Sequence, residues 1–258
     1  MKYIHLTYSF ANAVVHYISS YLSGRKGLTR RQKNSSTSDA TKRYNLYCKT
    51  RKLQLILLAN FKAGDDFITL TYSDNKEKDA NTVKKDIKAF IEKLRKAYKR
   101  RGAILKFIYR IEIGKKGRVH CHMVINHMPD TNSLVNSRWK HGYVQIKTIT
   151  DKDPSFAEIA SYLAKPLPDI CVALYQKTHP FWSLRYLVSY SRSRNLITPV
   201  PSREVISLKT VQRMLHEGIK PTKGFYVDKG IKPPYSGINP FTGQHFLRYQ
   251  ELLLEPQK

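Results

Sequence analysis

Two alternating runs joined by one short turn constrain this chain more than anything else in it. Residues 104–113 (ILKFIYRIEI) place Leu105, Phe107, Tyr109, Ile111 and Ile113 on one parity, and Lys106, Ile108, Arg110 and Glu112 on the other. After the turn GKKGR, residues 119–126 (VHCHMVIN) read as strand again. Such a pair folds as an antiparallel hairpin, because successive strand side chains leave opposite faces. The turn length then decides which side chains meet. A three-residue loop, Lys115-Lys116-Gly117, with Gly117 in the left-handed position of a G1 bulge, sets Gly114 against Arg118 and Ile113 against Val119. Glu112 then lies across from His120 on one face, with Cβ atoms about 4.5–5.5 Å apart. His122 comes next along that face, opposite Arg110. A two- or four-residue loop would put Glu112 on the wrong side.

Around the hairpin, Phe67–Tyr72 (FITLTY) reads as a strand between Gly64-Asp65-Asp66 and Ser73-Asp74-Asn75. Val83, Ile87, Ile91, Leu94 and Tyr98 recur at helical spacing and Gly102 closes them, which predicts an amphipathic helix. Tyr143–Ile149 makes a further strand. A short helix over Phe156–Lys165 is expected to begin at a capping box, Ser155 to Glu158, and to stop at Pro166. The order β-α-β-β-β-α predicts an α+β domain with a central, mainly antiparallel sheet and flanking helices over residues 63–190. Residues 1–62 read as a basic accessory segment, with a loop-like run from Gly24 to Ala40 and an apolar block from Leu53 to Phe61. Residues 191–258 read as a Pro/Gly-rich accessory segment (PVPS, KPPYSGINPFTG) with a helical candidate at Ser207–His216.

Charge narrows the partner. Lys and Arg number 46 against 19 acids, a formal net charge of +27, a field that draws polyanions and releases counterions from phosphates. Nucleic acid leads; a basic membrane-surface protein would share the excess, but no run is long and apolar enough to span a bilayer. Cys48, Cys121 and Cys171 form no CxxC pair, which speaks against a zinc ribbon or a disulfide framework and for a reducing, cytoplasmic setting.

Glu112, His120 and His122 together offer three donors with positions left for water and substrate, a mixed set that suits Mn2+ or Zn2+ well and Mg2+ tolerably. Read alone, H-x-H fits a pair of packed or surface imidazoles equally well, and Glu112 can instead neutralise Arg110 or Lys106. Tyr162 and Lys165, three apart, share a helix face while Phe156, Ile159 and Leu163 can pack on the sheet. A phenol with its free pKa of about 10 needs a nearby cation to act as a nucleophile.

FITLTYSD, then Glu112 with His120 and His122 (E-x7-H-x-H), then Tyr162 and Lys165 (Y-x-x-K) resemble the three ordered motifs of HUH endonucleases. More narrowly the chain resembles the rolling-circle replication initiators of small phages, plasmids and single-stranded DNA viruses. That resemblance implies a ferredoxin- or RRM-like fold and an Mg2+ or Mn2+ cofactor held by Glu112, His120 and His122. It also implies attack on a scissile phosphate by Tyr162, giving a 5′-phosphotyrosine link, with Lys165 assisting. Three departures stand out. Cys121 takes the place of a bulky hydrophobe between the histidines. No second tyrosine lies within a turn of Tyr162, so termination would need a second subunit or another route. No G-x-x-x-x-G-K-[ST] occurs, so a host helicase is expected to unwind the duplex for a host polymerase.

Single-stranded DNA at a replication origin is the expected partner, held by cations and aromatic platforms. Candidates are Lys106 and Arg110 beside the metal face, Lys115, Lys116 and Arg118 in the turn, and Trp139 and Lys140 with Tyr143. Tyr190, Arg192 and Arg194 (YSRSRN) form the densest mix, with Trp182, Arg185 and Tyr186 just before them. A relaxase or transposase would use the same chemistry. A non-catalytic nucleic-acid binder, or an oxygenase with two histidines and a carboxylate, would use the same three ligands differently.

Overall fold

A computed structural model describes residues 2–20, 37–73, 79–181, 184, 187, 189–228, 236–238 and 245–254. In chain order the first elements are β1 (Lys2–Ser9), β2 (Ala13–Ser20), α1 (Asp39–Asn60), β3 (Asp66–Thr71), α2 (Ala80–Arg100), β4 (Phe107–Ile113) and β5 (Val119–Ile125). There follow α3 (Thr131–Arg138), β6 (Val144–Thr148), α4 (Ala157–Ala164), α5 (Asp169–Thr178), β7 (Ser191–Arg192) and β8 (Ser202–Ser207). The last are α6 (Leu208–His216), β9 (Phe225–Val227), β10 (Ser236–Ile238) and β11 (His245–Leu253). The chain is α+β, and every strand pairing among the described residues is antiparallel.

The chain divides into two units, residues 45–197 and residues 1–44 with 198–258. The sequence boundaries stood at 62/63 and 190/191; the first unit reaches further on both sides because the apolar block Leu53–Phe61 is largely the buried half of α1. Leu53, Ile56 and Leu57 of that helix pack with Ile108, Val124 and Leu163.

In residues 45–197 the strands run β6-β3-β5-β4-β7. Parity divides the faces as the alternation requires. Phe107, Tyr109, Ile111 and Ile113 of β4 join Val83, Ile87, Phe90, Leu94 and Tyr98 of α2 in one core. Ile108 of β4 and Val124 of β5 join α1 and α4 in the other. Each fully buried Ile or Leu in α2 contributes about 1.5–3 kcal/mol relative to exposure. Asp79 caps α2 by accepting the Asn81 N–H at 2.9 Å. Helices α3 and α5 had no counterpart in the sequence reading. Each buries only two or three side chains, such as Cys171 and Tyr175 of α5, too few to set a visible period.

The other unit shows what the two accessory segments build: one sheet, β10-β11-β2-β1-β8, with β9 also on β11. Its core is Tyr3, Ile18, Val211, Leu247 and Tyr249. Helix α6 follows the expected Ser207–His216, with the Ser207 hydroxyl accepting the Thr210 N–H. A polar row crosses this sheet: His5 Nε2 lies 3.0 Å from His16 Nδ1, and His16 Nε2 lies 3.5 Å from Glu251 Oε1. The Tyr249 ring stacks on His16 at 4.3 Å. Residues 24–36 of the loop-like run and most of KPPYSGINPFTG fall outside the described residues. No helix among the described residues is long and apolar enough to cross a membrane.

Candidate metal and nucleophile site

The turn between β4 and β5 sets the site. Gly117 takes φ +78°, its N–H donates to Gly114 O at 2.9 Å, and Gly114 N–H donates to Arg118 O at 2.8 Å. The register that follows pairs Glu112 with His120, Arg110 with His122 and Ile113 with Val119. One donor atom from each of Glu112, His120 and His122 lies within 4.8 Å of the others. Cys121 points to the opposite face and is buried there, so a small thiol fills the core between the two ligand positions.

The donor set fits a divalent cation on chemical grounds. Glu112 Oε2 is buried, 3.4 Å from His122 Nε2, and accepts no hydrogen bond among the described residues. A buried carboxylate oxygen left without a donor is costly, and a cation satisfies it. Both imidazoles are held neutral, the ligating form. Burial lowers His120, and burial aided by His120, Lys165 and Arg110 pushes His122 down to about 3.

Thr69 of β3, opposite His122, places Oγ1 3.0 Å from His122 Nδ1. With Nδ1 engaged there, Nε2 is left to face Glu112 and the nucleophile. The Phe67 ring stacks on His122 at 5.8 Å and meets Tyr162 edge-on at 6.0 Å.

Helix α4 delivers the nucleophile. The capping box expected at Ser155 and Glu158 does not form; Asp153 caps the helix instead. Its carboxylate accepts N–H groups from Ala157 at 3.0 Å and Glu158 at 2.9 Å, while the Ser155 hydroxyl donates to it at 3.0 Å. Phe156 turns into the helix at φ +55°, which swings Ser155 away from the capping position and buries the ring. Tyr162 Oη lies 2.7 Å from His122 Nε2. Burial and the Glu112 carboxylate raise its pKa to about 12. Lys165, the C-cap residue before Pro166, places Nζ 3.3 Å from Glu112 Oε1 and 4.1 Å from the centre of the Tyr162 ring.

Arg110 departs from expectation. It is 1% exposed and points under α4, donating to the carbonyls of Leu163 and Lys165. Those are orphan carbonyls at the helix end, so the guanidinium ties the nucleophile helix to the ligand strand instead of reaching solvent. Trp139 is buried too: its Nε1–H donates to Thr71 O at 3.0 Å and its ring meets Tyr72 and Phe90 edge-on. It is a core residue, unable to stack on a base. Lys115, Lys116, Arg118, Lys140, Arg192 and Arg194 are exposed, Lys106 is half-buried, and half-buried Tyr190 carries Lys49 over its ring at 5.8 Å. Trp182, Arg185 and Tyr186 lie outside the described residues.

Residues 65–167 match a family model of replication-associated proteins, the one described by the ORF2 replication protein. The replication-associated segment runs from the start of β3 to just past α4, so it holds Glu112, His120, His122, Tyr162 and Lys165 together with Thr69 and Arg110. Searches among curated proteins and among solved structures give no significant match. Within the replication-associated segment the sequence reading passed over Thr69 and misassigned Arg110. The signal for Thr69 was its place in FITLTY, two residues from Phe67 on the same parity. No signal for Arg110 existed, because a strand arginine beside a carboxylate reads as solvent-facing until the helix above it is known.

Proposed function

We propose that the chain is a rolling-circle replication initiator that nicks and rejoins single-stranded DNA at an origin through Tyr162. The observation that carries this is the convergence of Tyr162 Oη, His122 Nε2, Glu112 and Lys165 Nζ at one point of the sheet face, within a segment similar to replication-associated proteins.

Glu112, His120 and His122 would hold Mg2+ or Mn2+, which polarises the scissile phosphate when bound. Tyr162 Oη forms a bond to phosphorus as the P–O3′ bond breaks. The phenol loses its proton and O3′ gains one, leaving a 3′-hydroxyl and a 5′-phosphotyrosine link. Lys165 steadies the phenolate and the charge growing on the phosphate. Arg110 and Asp153 hold the two ends of α4, which fixes Oη against the ligand face. Attack by a 3′-hydroxyl on the phosphotyrosine reverses the step and rejoins the strand. With one tyrosine at the site, a second copy of the chain takes the second transfer. A host helicase opens the duplex, and a host polymerase extends the 3′-hydroxyl in the cytoplasm.

The test is incubation of the full chain with end-labelled single-stranded DNA from its own replicon and Mn2+, followed by denaturing electrophoresis. A protein–DNA adduct that requires metal, is lost on chelation and is absent in Tyr162→Phe is the expected result. Cleavage without an adduct would make the site a metal-hydroxide nuclease, and binding without cleavage would sink the enzyme reading.

A further inference from the structure

On the other side of the sheet from Glu112, a cleft of about 830 Å3 opens between α2 and the β4–β7 edge. Phe107 and Tyr109 lie in its wall, side chains of the parity opposite to the metal face, with their rings stacked at 6.1 Å. Fourteen residues line it, five of them cationic and one acidic. The chain as a whole is cationic at 46 of 258 positions, so the cleft carries about twice the average density.

The cations form two banks. Lys88, Arg95 and Lys99 recur at intervals of seven and four along α2, which sets them on one exposed stripe. Eleven residues of helix are ~16 Å long, the rise of about five stacked nucleotides at 3.4 Å each. Arg194 faces this stripe from beyond β7, and Arg192 stands at the sheet edge opposite Ile108. Lys88, Lys99 and Arg194 make no ion pair among the described residues, so Glu92 does not neutralise them. Arg95 lies 5.3 Å over the Phe107 ring and is held toward the cleft.

We infer that this cleft is a second DNA-binding site, which grips the phosphodiester backbone of a segment flanking the nicked strand. It rests on the reading of the chain as a DNA-acting initiator. The cleft cannot present a phosphate to Tyr162, since the sheet lies between them; its contribution is affinity and placement, through charge and not base sequence. DNA engaged at both places turns around the short β7 edge, where Arg192 stands.

The test measures binding of the full chain to fluorescent origin-length DNA without metal, as anisotropy from 50 to 300 mM KCl. The variant Arg95→Glu/Lys99→Glu/Arg194→Glu is compared with Lys152→Glu/Lys177→Glu/Lys209→Glu, which carries the same charge change on exposed residues elsewhere. Circular dichroism and thermal melting check that both fold. The cleft variant should bind at least tenfold more weakly at 150 mM, with a log–log salt slope smaller by about 2–3; the comparison variant should keep the parental slope. Equal losses in the two variants would reduce the effect to bulk charge and overturn the proposal, as would an unchanged slope in the cleft variant. Loss of binding to anionic lipid vesicles alone would assign the cleft to a membrane surface and overturn it too. Because no cleavage is scored, a failure of the Tyr162 adduct leaves this result standing, and a failure here leaves the adduct standing.

Discussion

Thr69 shows how one hydroxyl governs a metal ligand. It engages His122 Nδ1 from the neighbouring strand at 3.0 Å, and that contact fixes which imidazole nitrogen faces Glu112. Thr69→Val keeps the shape and removes the partner, leaving a buried Nδ1 unsatisfied. Mn2+ affinity, measured by isothermal titration, should fall tenfold or more while the melting temperature without metal changes little. Unchanged affinity would mean that Thr69 has no hold on the ligand. The residues of the site were unequally legible. Glu112, His120 and His122 followed from strand parity and a three-residue loop, a purely local computation. Arg110 and Trp139 could not be placed that way. Their roles depend on what packs over them, the α4 carbonyls in one case and the α2 core in the other.

At the scale of elements, α4 is short and is held by its ends. Asp153 gathers the first N–H groups and Arg110 the last carbonyls, so an eight-residue helix too short to persist by itself is fixed on the sheet. Asp153→Ala should lower the stability of residues 45–197 by about 1–2 kcal/mol, read as a shift in the urea midpoint at constant slope. A midpoint unmoved by the change would return the capping role to Ser155. The amphipathic α2, the β4–β5 hairpin, α6 and the existence of α4 were readable because each carries a period or a turn signature of its own. The capping box was misread because Ser155 and Glu158 sit at the right spacing. The chain reverses at Phe156 with φ +55°, and nothing in the residue type announces that. β1 and β2 passed unnoticed for a related reason. His5 and His16, on inward positions, break the apolar alternation that marks a strand.

At the scale of the whole molecule, the buried imidazoles couple stability to pH. His16 is held neutral, pushed down to about 4 chiefly by burial, with Glu251 opposing and His5 adding to the shift. An unfolded histidine titrates near 6.5. The unfolded chain therefore binds the proton first, and the stability that His16 supports is present above pH 6.5 and lost as pH falls toward 4. Denaturation by urea at pH 7, 5.5 and 4.5 should show this decline, and His16→Gln should flatten part of it. The remaining slope belongs to His5, His120 and His122, which burial shifts the same way. An identical decline in parent and variant would show that His16 titrates freely.

One sheet draws its strands from both flanks of the chain, with β2 pairing β11 and β1 pairing β8. During synthesis β1 and β2 leave the ribosome as a lone hairpin, a form that is marginal in water. Everything needed for residues 45–197 is made before β8 and β11 exist. The centre bearing Tyr162 therefore completes first on the nascent chain, and the flanking sheet closes last, once the final strand has been released.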